Sequence, residues 1–90
     1  MPQTVLIADG RTARRRRLKT LVAGLGYRVV EAGDAAGALG QITAALPQVV
    51  ITGSGFPDLD VDVLVREIKR RFHDVEILVL ADEPWVIEDL

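Results

Sequence analysis

The chain has 90 residues, 49% hydrophobic and 27% charged, with a formal net charge of −2, the make-up of one globular domain. It has no cysteine, which excludes disulfides and thiolate metal sites. Residues 1–30 carry seven basic groups against Asp9 alone, whereas residues 31–90 carry twelve acidic groups against four basic ones. Such asymmetry suits a polar interface between copies or with a partner better than a uniformly basic nucleic-acid surface.

In chain order, Val5-Leu6-Ile7-Ala8 is a continuous apolar run that reads as a central buried strand ending at Asp9-Gly10. Thr12 is placed to cap the first helix. Leu18, Leu21, Val22 and Leu25 follow the spacing of one buried helix face, and Gly26 suits its left-handed end. Tyr27 to Ala32 reads as an edge strand. Asp34 is placed to cap a second helix with Ala35, Ala38, Leu39, Ile42 and Leu46 inward, softened by Gly37 and Gly40. Val49-Val50-Ile51 is a third buried strand ending in Gly53-Ser54-Gly55. Asp60 is placed to cap a third helix with Val61, Leu64, Val65, Ile68 and Phe72 inward. Val75 to Ala81 is a fourth strand, apolar on both faces, and Pro84 is a helix-start signal. Residues 35–57 carry no charge, but glycine, proline and glutamine interrupt them and their apolar period changes midway, so no membrane span is expected. No signal-peptide pattern is read in the first residues, and a cytoplasmic location is the expectation.

Strands alternating with amphipathic helices predict an α/β domain built on a parallel sheet with right-handed crossovers. In such sheets, ligands and chemistry sit at the carboxyl ends of the strands. Here those ends are Asp9-Gly10, Gly53-Ser54-Gly55 and Ala81.

Over residues 4 to 82 the sequence resembles the receiver domains of bacterial response regulators (the CheY-like superfamily). The resemblance is carried by Val5 to Asp9, Leu25-Gly26-Tyr27, Val30-Glu31-Ala32, Ala38-Leu39, Pro47, Phe56-Pro57, Leu59-Asp60, Leu64 to Ile68 and Ile77 to Leu80. It implies an α/β, flavodoxin-like doubly wound parallel sheet with strand order 2-1-3-4, helices on both faces, and a fifth strand and helix that the 90 residues do not contain, so they are expected to be the N-terminal part of a longer protein. It also implies a phosphorylation pocket, and here the residues depart from the family. Gly53 stands where the resemblance places the phosphoacceptor aspartate, Gly10 beside Asp9 where it places an acidic pair for Mg²⁺, and Ala81 where it places a Ser or Thr. The expected site is therefore degenerate, with no catalytic residue, no metal site and no cofactor.

Without a carboxylate at position 53 there is no nucleophile for an acyl phosphate, and one carboxylate is a poor Mg²⁺ site. Ser54 and Asp58 are the alternative acceptors, both on the loop beyond the strand. His73, the only histidine, falls at the far end of the third helix, too distant for a Ser-His-Asp arrangement. In the Arg14–Arg17 run, Arg15 and Arg16 are expected to face solvent as interaction residues, while Arg14, four before Leu18, is the candidate pocket cation pairing with Asp9. Trp85 is the candidate aromatic contact for a partner. The expected function is a receiver-like (pseudo-receiver) module of bacterial signal transduction that takes no phosphoryl group, is not an enzyme, and works by protein interaction. Its expected partners are a protein or effector domain and a second copy through the strand-four edge. The alternatives are a phosphorelay receiver with a displaced acceptor, or a basic-helix module for nucleic acid or an anionic ligand.

Overall fold

The computed structural model describes residues 3–80. Seven elements alternate: β1 (Thr4–Ala8), α1 (Thr12–Gly24), β2 (Arg28–Ala32), α2 (Ala35–Ala45), β3 (Val49–Thr52), α3 (Val61–Arg71) and β4 (Glu76–Val79). The four strands form one sheet in the order β2-β1-β3-β4, all parallel, as expected. β1 is central and buried on both faces, which is why its sequence is an unbroken apolar run.

The two sheet faces are packed unequally. Leu6, Ala8, Val30, Ala32, Val50 and Ile77 share the core with Ala35, Ala38 and Ile42 of α2 and Leu64 and Ile68 of α3. Each fully buried Leu or Ile there contributes about 1.5–3 kcal/mol by leaving water. The opposite face carries α1, whose Arg15 and Lys19 reach Glu31 of β2. In this face Ile7, Ile51 and Leu78 lie in register across three strands. Ile7 is buried, Ile51 is partly buried and Leu78 is 54% exposed, so the packing thins towards β4. Among the described residues β4 pairs only with β3.

Several local expectations are corrected. α1 has no fully buried residue; Leu21 and Leu25 are exposed rather than inward, because one helix on this face shields only the strands beneath it. Arg11, not Thr12, occupies the N-cap of α1, and no side chain caps it. β2 begins at Arg28. Leu46 is 74% exposed rather than inward: it ends α2 in the left-handed region, at φ 51°, which turns its side chain off the buried stripe. Asp60 holds the N-cap position of α3 without a side-chain bond. β4 spans four residues with Leu78 and Val79 more than half exposed. Asp34 does cap α2, accepting from the Gly37 amide at 2.6 Å, and Gly26 takes a left-handed φ of 97°. No helix among the described residues is long and apolar enough to cross a membrane.

Candidate functional site

The carboxyl ends of β1 and β3 meet above the sheet, and Asp9 lies between them with no exposed surface. A buried carboxylate must have its charge compensated or its oxygens bonded. Asp9 has both. Its Oδ1 accepts from the Arg11 amide at 2.9 Å and from Arg14 Nη2 at 3.1 Å, and its Oδ2 accepts from Arg14 Nε. The guanidinium thus grips the carboxylate with two donors, a geometry lysine cannot reproduce. Arg14 also donates to Ser54 Oγ at 3.4 Å.

The two glycines explain how the site closes. A Cβ on Gly53 would lie less than 3.0 Å from both Arg14 Nη2 and the Asp9 carboxylate. The Arg14–Asp9 pair therefore fills the volume that any side chain at position 53 would need. A Cβ on Gly10 would fall within 3.0 Å of the Gly55 carbonyl and the Phe56 amide. The loop after β3 lies directly against Gly10, whose amide donates to the Ser54 carbonyl at 2.9 Å. Gly55 makes the turn at φ 75°, a conformation that favours glycine, with the Arg11 stem 3.4 Å from where its Cβ would be.

Arg15 is a correction. It does not project outward: its side chain is 19% exposed, donates to the Asp9 carbonyl at 2.7 Å and approaches Glu31 at 3.4 Å. Arg15 sits one residue from Arg14, so it falls on the β2 side of the same sheet edge. Lys19 closes on the other Glu31 oxygen at 3.0 Å. The Lys19 ammonium holds the Glu31 carboxyl below its usual range; burial opposes it, and Arg15 adds a lesser lowering. Arg16 is exposed, and among the described residues it makes no ion pair.

Asp58, on the loop after β3, is turned towards α2. Both of its oxygens accept from the start of α2, the Ala35 amide at 2.9 Å and the Ala36 amide at 3.0 Å. These amides, Ala35 first, lower its pKa. His73 is exposed at the opposite end of the strands, beside Leu46, Pro47 and Gln48. The structure thus brings Asp9, Gly10, Arg14 and Gly53 together and adds Ser54, Gly55 and Arg15. The sequence reading missed the Arg15 and Asp58 contacts. The Arg15 contact had a signal in its one-residue offset from Arg14; the Asp58 contact joins segments 22–23 residues apart and had none. Ala81 and Trp85 lie outside the described residues.

The Mg²⁺ implied by the resemblance does not fit these residues. The ion needs several oxygen ligands in near-octahedral array. The site offers one carboxylate, already bonded on both oxygens, and no room for a second at position 10 or 53 as the loop stands. Among the described residues no group of three or more His, Cys, Asp or Glu side chains could hold a metal.

No protein-family model matches the sequence, and no curated protein matches it. Solved structures do match. The chemotaxis response regulator CheY4 of Vibrio cholerae is 23% identical, with a TM-score of 0.85 over 94% of this chain and 72% of that one. A putative response regulator from Chloroflexus aurantiacus is 27% identical, with a TM-score of 0.86 over 96% and 72%. The response regulator TrrA of Thermotoga maritima, in complex with Mg²⁺–BeF, is 22% identical, with a TM-score of 0.80 over 86% and 67%. The strand order, the helices on both faces and these neighbours agree: the chain has the fold of a CheY-like response-regulator receiver domain.

Proposed function

We propose that this is a receiver-like module that takes no phosphoryl group and acts as a regulatory protein-interaction domain in bacterial signal transduction. The observation that carries the reading is the Arg14–Asp9 pair, seated in the space a side chain at position 53 would need. An acyl phosphate requires a carboxylate nucleophile, and position 53 has no side chain at all. The displaced acceptors are occupied otherwise: Asp58 caps α2, and the Ser54 hydroxyl faces the Arg14 guanidinium. The partly buried cation beside Asp9 takes over the charge balance that a metal ion supplies in a working receiver.

The same reading makes the domain non-enzymatic and cytoplasmic, joined to an effector domain or binding a separate protein. It includes self-association on the β4 side, where Leu78 and Val79 are exposed and where, among the described residues, β4 pairs only with β3.

The test is incubation with Mg²⁺ and either acetyl phosphate or beryllium fluoride, followed by intact mass and Trp85 fluorescence. The expected result is an unchanged mass and an unchanged emission. A mass gain of one phosphoryl group overturns the reading in favour of a displaced acceptor. Salt-dependent binding of DNA or RNA would instead favour the basic helix as the working surface.

A further inference from the structure

The loop at 53–60 runs from the end of β3 to the start of α3, but its bonds reach two elements away. At its near end, Gly53 donates to the Ala8 carbonyl at 2.8 Å and the Ser54 carbonyl accepts from Gly10 at 2.9 Å. At its far end, Asp58 accepts from the first two amides of α2. α2 follows β2, and β2 lies on the other side of β1 from β3. The loop therefore passes the carboxyl end of β1 against Gly10, touches Arg14 through Ser54, and is fastened to α2 at its far end.

The fastening is not simply a helix cap that any carboxylate would supply. α2 already has its own cap in Asp34, which takes the Gly37 amide. Asp58 takes the two amides that Asp34 leaves, and only Asp58 comes from the loop. The first amides of a helix have no partner within it, and their dipole favours a carboxylate. This gives the loop an anchor that a solvent-exposed loop of its length would otherwise lack.

We propose that Asp58 is a latch, holding the 53–60 loop closed over the Asp9–Arg14 pair by its grip on the amino end of α2. Displacing α2 and opening the pocket are then one transition. A partner that binds α2 more tightly in the displaced position exposes Asp9, and closing the pocket opposes that partner to the same degree. The proposal stands whether or not the site takes a phosphoryl group, and its readout is amide exchange rather than phosphoryl uptake.

The Gly10 amide reports the closed loop, because its acceptor is the Ser54 carbonyl. Amide hydrogen exchange by NMR is compared in the full chain, in Asp58→Ala and in Asp34→Ala. Both variants remove a cap from α2, but only the first cuts the loop. In Asp58→Ala the Gly10 amide is expected to exchange on the order of five- to tenfold faster. Asp58→Asn, which keeps one acceptor oxygen, gives a smaller acceleration. In Asp34→Ala, exchange quickens in α2 while Gly10 stays protected. Unchanged Gly10 protection in Asp58→Ala, or an equal loss in Asp34→Ala, overturns the latch and leaves Asp58 as a cap only.

Discussion

Arg14→Ala tests the centre of the site. It removes two described N–H donors to the Asp9 carboxylate, and with them the cation paired to a side chain that has no exposed surface in the parent protein. Breaking a buried pair from one side costs about 3–5 kcal/mol, because the remaining charge is uncompensated. A domain is stable by only about 5–15 kcal/mol, and one of this size belongs near the lower end. At about 4–8 °C per kcal/mol, the melting midpoint should fall by roughly 12 °C or more. The second half of the cycle is Asp9→Ala with and without Arg14→Ala. Removing both partners leaves a cavity but no stranded charge, so the double variant should cost about 1–3 kcal/mol less than the two singles together. Urea unfolding at pH 7, followed by far-ultraviolet circular dichroism, measures all four proteins. A loss in Arg14→Ala below about 1 kcal/mol, or singles that add to within about 0.5 kcal/mol, would refute the claim that the pair holds the site together.

Other substitutions probe the surroundings. Gly53→Asp places a Cβ less than 3.0 Å from Arg14 and Asp9, so thermal melts should show a loss of stability and intact mass no phosphoryl uptake. Asp58→Asn should lower the melting midpoint at neutral pH. Because the folded Asp58 pKa is lowered, its contribution is present above the ordinary aspartate range and disappears as pH falls through the lowered value; parent and variant should therefore converge in strongly acidic melts. Gly40→Ala should stabilise the protein by about 0.5–1 kcal/mol, since a Cβ there meets nothing within 4 Å; a fall in the urea midpoint would contradict the helix-propensity argument.

The parts of the fold that were legible in the sequence are those set by local pattern. The β1 run, the Asp34 cap and the Leu64 and Ile68 stripe of α3 each follow from a few adjacent residues. What local pattern hides is how much roof each sheet face receives. The leucines of α1 are spaced like a buried stripe, yet Leu21 and Leu25 face water because the neighbouring half of that sheet face is uncovered among the described residues. Leu46 is the mirror case: its spacing fits α2, but the chain turns left-handed at it. At the site, the place of Gly53 could be read from its strand end. The close approach of the Gly55 carbonyl to Gly10 could not, since it depends on the path of a loop that folds onto another strand.

That close approach bears on how this chain could change over generations. A side chain at position 53 would meet Arg14 and Asp9, and one at position 10 would meet the backbone of the 53–60 loop. Neither fits while the other parts stay where they are. A change at either glycine therefore needs a second move, a withdrawal of the Arg14–Asp9 pair in the first case and a lifting of the loop in the second. Substitutions at these two positions are tied to the rest of the site, whereas those on the exposed surfaces are not.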